Sequence, residues 1–259
     1  MVRWTCVFAV LLGVWKSAPA QPLRVRHVEG TLHGFLTLSG EDGKVIAEGD
    51  LAQVAHGNTV TAHLVFHFGD GSLDDETTVF TEHGTFQLVS DHHIQRGPSF
   101  PNPMDMTIDV ARDRVTWRVE DKNGKVQEKS ATMKLPPDLA NGLVSVVAKN
   151  ILPKTQETKV TMVVATPEPR VITLDITPRG EDKFTLGGQP HQGLHYNIQI
   201  QLGGLTGVVA TLIKKHPPDT ELWLLGGDAP TFLRSVGQFA EDGPVWTMQL
   251  VSPDWPKGE

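Results

Sequence analysis

The chain has 259 residues, of which 39% are hydrophobic and 20% charged, and its formal net charge at pH 7 is −7. An acidic chain argues against nucleic-acid binding, which needs a basic surface, and against electrostatic docking on anionic lipid. The length suits one large β-rich domain or two small ones.

Residues 1–20 have the three zones of a secretory signal peptide. Arg3 precedes an apolar run at Val7–Val14, and Ser17–Ala20 supplies a small-residue cleavage site. The apolar run is shorter than the ~20 residues that a membrane-spanning helix needs. We therefore predict an exported protein, periplasmic or extracellular, with no transmembrane segment after cleavage.

Cleavage of this leader would change the charge and the cysteine content. Removing Arg3 and Lys16 lowers the basic residues from 23 to 21 against 30 acidic ones, so the mature net charge is −9. Cys6 is the one cysteine in the sequence. The mature chain can therefore form no disulfide, thiolate nucleophile or cysteine metal site.

Short alternating runs separated by turn residues fill the first half, from about 31 to 134. Glu41–Lys44 is a hairpin turn, and Arg96–Pro103 is too rich in proline and glycine for regular structure. The clearest alternation places five apolar residues on one face: Val60, Ala62, Leu64, Phe66 and Phe68. This pattern indicates strands with one buried face.

The stretch Leu135–Pro153 is the one persuasive helix after the leader. Asp138 is placed to cap its start, and Pro153 to end it. Apolar residues recur at helical spacing between them, at Leu139, Leu143, Val146, Val147 and Ile151. We predict a helix over 138–151 whose apolar stripe is covered by a sheet.

Alternating strands resume from about 155 to 252, with turns every 8–12 residues, which is typical of antiparallel sheet. In this half, Arg179–Asp182 is predicted to be a turn. The fold class predicted is all-β and mostly antiparallel, a strongly curved sheet or open barrel(s) wrapping one central α-helix. Residues 21–259 would form a single domain of two β halves joined by that helix, and whether the halves make one sheet or two stays open.

Eleven histidines raise the possibility of metal binding, but their spacing does not favour it. His63 and His67 lie in one strand and are ~13 Å apart, too far to share an ion. The adjacent His92 and His93 point to opposite faces of a strand. No G-x-S-x-G motif is present. We predict no metal, no cofactor and no catalytic residues.

Two passages resemble a known group of proteins. The first is the helix region that follows a long meander, and the second is Glu221–Leu224 followed by Asp228–Pro230 and a strand ending near Gly237. Together they resemble uncharacterised exported bacterial proteins with a half-barrel domain of unknown function, similar in shape to lipoprotein-carrier folds. The resemblance implies a curved sheet and an exported location, and it implies no catalytic residues.

These observations favour an exported non-enzymatic binding or structural module of the cell envelope. A curved sheet around a helix could hold an apolar ligand, or the same residues could form a closed core. The predicted lining is Leu64, Phe66, Phe68, Leu143, Val147, Ile198 and Ile200.

Two other functions stay open. One is an envelope hydrolase that uses acids and histidines of the loops Arg96–Pro103 and Gly187–His195. The other is an extracellular interaction domain whose exposed sheet edges add strands to a partner protein.

Overall fold

The computed structural model describes residues 22–120, 125–152, 154–165, 168–201 and 217–251, and the backbone of residues 253–254. The predicted signal peptide and Pro153, predicted to end the helix, lie outside the described residues.

Strands dominate the described chain. The first half contains β1 to β8, with a 3₁₀ turn at Val110–Arg112 between β6 and β7: Leu32–Ser39, Val45–His56, Thr59–Phe68, Leu73–Thr81, Gln87–Arg96, Met104–Asp109, Arg114–Glu120 and Val126–Thr132. The helix α1 spans Val144–Asn150. The second half contains β9 to β15: Thr158–Val164, Arg170–Leu186, Gln189–Gln201, Thr220–Leu225, Thr231–Gln238, Val245–Leu250 and Pro253–Asp254.

The strands form one antiparallel sheet in the order β15-β10-β11-β12-β13-β14-β1-β2-β3-β4-β5-β6-β7-β8, with β9 also paired to β10. The two halves meet where β1 pairs with β14, which places Leu36 opposite Leu250 and Ser39 opposite Thr247. The sheet is curved and does not close on itself within the described residues. The predicted all-β fold with one helix is confirmed, and the halves make one sheet.

Alternation along each strand separates an inner from an outer face. On β3, Val60, Phe66 and Phe68 are buried, whereas the neighbouring Thr61 and His67 are exposed. Burying the apolar set of a strand favours this register, because a shift by one residue would expose all of it.

The helix is shorter than the predicted 138–151. Gly142 has φ +64°, a left-handed conformation that cannot continue a helix, so α1 begins two residues later. Asp138 does not cap it, because it lies six residues before α1, where its carbonyl accepts the amide of Thr161 on β9. The predicted apolar stripe is nevertheless buried at every position: Leu139, Leu143, Val146, Val147 and Ile151. No helix among the described residues is long and apolar enough to cross a bilayer.

Two predicted irregular segments of the second half are strands. The predicted turn at Arg179–Asp182 lies inside β10, which continues through it with a register shift between Pro178 and Gly180. The predicted loop Gly187–His195 is only a tight turn at its two glycines, followed directly by β11. A bulge can absorb a glycine within a strand, so turn-forming residues do not always end one.

The β9 edge is closed by the chain that precedes α1. The Ala140 amide donates to the Thr161 carbonyl at 2.7 Å. The buried Asn141 amide then takes the place of a neighbouring strand: its Nδ2 donates to the Val163 carbonyl at 2.9 Å, and its Oδ1 accepts the Val163 amide at 2.8 Å. The edge groups of Thr161 and Val163 are therefore satisfied without a further strand.

The β8 edge is exposed at six of its seven residues. Lys129 lies opposite Trp117, on the inner face that is apolar in the preceding strands. An inward-facing charge on an edge strand disfavours pairing with another chain.

Replacing Asn141 by Ala should lower the free energy of unfolding by about 1–3 kcal/mol, because two backbone groups of Val163 lose their partners. Urea unfolding measures this. Asn102→Ala, which removes a longer and exposed bond to the Glu241 carbonyl, should change stability by less than about 0.5 kcal/mol. Equal losses in the two variants would contradict the role of Asn141.

Replacing Lys129 by Val should produce concentration-dependent dimers or larger species, because the edge loses its inward charge and gains a β-branched residue. Light scattering after size exclusion measures this. Lys44→Val, in the turn before β2, is the matched control and should elute as the wild type does. A monomeric Lys129→Val variant at every concentration would show that other features protect this edge.

Candidate functional site

Polar side chains interrupt the apolar inner face on β4 and β5. Their register pairs Glu76 with His93 and Thr78 with Asp91, and Asp74 with Gln95. Directly paired residues share a face of the sheet. On that same face the partners of these strands are apolar: Leu64 and Phe66 on β3, and Met106 and Ile108 on β6. We call Asp74, Glu76, Asp91 and His93 the His93 cluster.

His93 contacts two carboxylates. Its Nε2 lies 2.7 Å from Asp74 Oδ1, and its Nδ1 lies 3.7 Å from Glu76 Oε1. These three side chains are between 14% and 19% exposed, so each keeps a small solvent-accessible surface. Gln95 donates to Asp74 Oδ2 at 3.2 Å and to the Phe239 carbonyl at 2.8 Å, which ties the cluster to the second half of the chain.

Asp91 lies deeper, with 1% of its surface exposed. Its Oδ1 accepts the hydroxyl of Thr78 at 2.8 Å. Its buried Oδ2 has no hydrogen-bond partner among the described residues. A buried carboxylate oxygen without a donor favours the protonated acid.

The pKa values reflect this burial and crowding. Burial raises the pKa of Asp91 to about 7 and the Glu76 charge adds to the rise, while the Thr78 hydroxyl and His93 oppose it. Burial also raises the pKa of Glu76, with His93 lowering it and Asp74 raising it. For His93, burial alone would lower the pKa, but Glu76, Asp74 and Asp91 outweigh burial and raise it to about 9. The cluster therefore holds a proton that can be exchanged near neutral pH.

Five other histidines contact acids or aromatic rings. His33, His63 and His92 bind Asp50, Asp75 and Asp105 of the neighbouring strands at 2.9–3.2 Å. On β11, His195 binds Glu221 at 2.7 Å and stacks on Trp223, while His191 stacks on Phe184. Within the described ranges, no three His, Cys, Asp or Glu side chains are placed to share a metal ion.

The N-terminal segment, residues 22–30, lies against the end of α1. The buried Asn150 holds it, because its Oδ1 accepts the amides of Arg26 at 2.7 Å and His27 at 2.8 Å. Leu23 and Val25 also bond the backbone of Phe86 and Gly84. The backbone of this segment is therefore hydrogen-bonded at four places, to α1 and to the chain between β4 and β5.

A buried ion pair fastens the same segment. Lys149 Nζ of α1 lies 2.6 Å from Glu29 Oε1, with side-chain exposures of 8% and 5%. Gln53 donates to Glu29 Oε2 at 3.1 Å, and Glu82 Oε2 accepts the Glu29 amide at 2.8 Å. Burial raises the pKa of Glu82. These contacts connect the helix, the N-terminal segment and strand β2.

An open groove of about 510 Å³ lies beside this junction, and we call it the helix-end groove. Its apolar lining comes from the residue after α1 and from β11 and β12: Ile151, Leu194 and Leu225. Its polar rim comes from the N-terminal segment and the start of β11, at Arg26, His27 and His191, with Glu181 of β10 beside them. Arg26 and His27 could not be assigned to this rim from the sequence, because the N-terminal segment has no regular pattern.

The predicted lining residues fall into two apolar clusters. Phe66 and Phe68 are buried in one, with Leu64 partly buried against it. Leu143, Val147 and Ile198 are buried in the other, with Ile200 partly buried against it. None of these seven lines the helix-end groove, but Ile151 and Leu194, which do, belong to or pack on the second cluster.

Replacing Lys149 by Met should lower the free energy of unfolding by about 3–5 kcal/mol, because Glu29 would keep a buried charge without its partner. The double variant Lys149→Met with Glu29→Gln should recover much of this loss, since neither charge remains. Chemical denaturation at pH 7 measures both. An additive loss in the double variant would show that the ion pair is not what fastens the segment.

No protein-family profile and no curated protein matches this sequence. Among solved structures, it matches a candidate exported protein with a YmcC-like fold from Bacteroides fragilis, at 11% identity. The match covers 90% of this chain and 100% of the other, with a TM-score of 0.34. This neighbour is of the same kind as the uncharacterised exported bacterial proteins that the sequence resembles. Similarity at this level carries no argument about function.

Proposed function

We propose that this chain is an exported, non-enzymatic binding module of the cell envelope that holds an apolar ligand in the helix-end groove. The leader supports export, and the mature charge of −9 disfavours nucleic acid as the partner. The periplasm is the compartment we propose, because an envelope ligand is available there.

The observation that carries the proposal is where the groove lies. Three separate parts of the chain build it, namely the N-terminal segment, the end of α1 and the sheet from β10 to β12. Its volume lies within the ~300–1,000 Å³ of small-molecule sites, and its lining combines the aliphatic side chains of Ile151, Leu194 and Leu225 with a rim of polar and charged groups.

The apolar wall of the groove continues into the packed core. Leu194 packs against the cluster that contains Leu143, Val147 and Ile198. A ligand in the groove would therefore contact Leu194 at the edge of this cluster, and the helix would not need to move away from the sheet to admit it. This is less costly than opening a core whose side chains are already close-packed.

The arrangement of the histidines favours binding over hydrolysis. The hydrolase alternative requires histidines that converge from loops, but His92 and His93 lie on opposite faces of β5. His191 and His195 lie on one strand, ~13 Å apart along it, and stack on different aromatic rings.

The test is native mass spectrometry and solvent extraction of protein purified from a bacterial envelope fraction under mild conditions. The wild type should carry a reproducible apolar compound, and Leu194→Trp should lose most of it because the larger ring fills the groove. Val54→Trp, at an exposed aliphatic residue of β2, is the matched control and should retain the compound. An empty wild type, or full retention in Leu194→Trp, would overturn the proposal.

A further inference from the structure

Gly142 packs on Thr78 so closely that only glycine fits there, and the Thr78 hydroxyl binds the buried Asp91. We call residues 138–143 the pre-helix turn. Gly142 of this turn packs so closely on β4 that a Cβ there would lie 1.9 Å from the Thr78 hydroxyl oxygen, and its φ of +64° is left-handed. Thr78 in turn donates to Asp91. The turn, the hydroxyl and the acid therefore form one continuous stack from the start of α1 to the sheet.

The charges around Asp91 come from the sheet. From β4 it faces Glu76, which raises the pKa of Asp91, and from its own strand His93 and His92 lower it. Across β6 its partner is the uncharged Ile108. The pre-helix turn contributes Gly142, while its acidic residue Asp138 lies against Thr161 of β9. Glu76 is thus the anion that an ionised Asp91 would meet.

We propose that Asp91 is a proton-operated latch for the pre-helix turn: protonated, it allows Gly142 to seat on Thr78, and ionised, it draws in water and releases the turn. The proposal is independent of what the helix-end groove binds.

The physical reason is the missing donor at Asp91 Oδ2. An ionised carboxylate needs several donors or water, and here one oxygen has only the Thr78 hydroxyl while the other has none among the described residues. The hydroxyl that donates to Asp91 belongs to Thr78, on which Gly142 packs, so water that enters to solvate the ionised acid displaces the contact that seats the turn. The protonated acid has no such need, so it is compatible with the closed turn.

Linkage gives the direction and the pH range. In the closed state burial raises the pKa of Asp91 to about 7, whereas a hydrated Asp91 would return towards the ordinary value of 3.8. Opening therefore releases a proton between about pH 4 and pH 7, so opening becomes easier as pH rises through this range and levels off above it. His93, with a pKa raised to about 9, keeps its charge throughout and does not switch in the same range.

Hydrogen exchange measured by mass spectrometry tests the latch in the full chain. After correction for the intrinsic rate, protection of the peptide that covers 140–147 should fall by up to about tenfold per pH unit between pH 5 and 7, and then level off. Asp91→Asn should abolish this slope, because its Oδ1 still accepts from Thr78 and the side chain stays neutral. Asp75→Asn is the matched control, since it lies on the same hairpin but bonds His63 on the outer face.

Two results would overturn the latch. One is a wild-type protection that is flat between pH 5 and 7, and the other is a slope that Asp91→Asn shares with the wild type. A carbon-13 titration of the wild-type Asp91 carboxyl provides a measurement that does not depend on a variant. A pKa near 4 in the folded protein would be equally fatal to the proposal.

Discussion

The structure depends on covering one face of one sheet. Within the described residues, one antiparallel sheet carries two apolar clusters, and the larger of them must be removed from water by a cover that a curved open sheet cannot supply alone. The segment from Leu135 to Ile151 supplies the cover: each residue of its apolar stripe is buried in the same cluster as residues of β3 to β7 and β9 to β12. The helix has low intrinsic propensity and no side-chain cap, so packing rather than local preference holds it.

That cover is fastened at both ends by polar groups. Before the helix, Asn141 and Ala140 bind the edge of β9, and in its last turn Asn150 and Lys149 bind the N-terminal segment. Buried polar groups whose hydrogen bonds are all made fix one position of the helix on the sheet. An apolar stripe alone does not, because apolar contacts are still made when the helix shifts along the sheet. The β9 and β8 edges are protected by different means, the first by this pairing and the second by charge on β8.

The His93 cluster breaks the pattern of the face it occupies. Three acids and a histidine lie where alternation would otherwise place apolar residues, and Asp91 is buried with an unpartnered oxygen. Proteins tolerate such local costs chiefly at sites with a role, because a well-packed apolar substitute would stabilise the fold more simply. The helix-end groove lies at the opposite end of the cover and involves different residues, so binding and proton exchange are separable features of this fold.

The sequence by itself determined the features that depend on local period: the strand faces, the apolar helix stripe, the turn at Glu41–Lys44 and the export leader as a prediction. It placed His92 and His93 on opposite faces, which the structure confirms. Only the tertiary structure decided that β1 pairs with β14, that Glu76 lies opposite His93, and that Arg26 meets Leu194 in one groove. The reason is that a period of two or 3.6 residues fixes which side of an element is buried, whereas pairing between distant strands depends on how all the buried sides fit together.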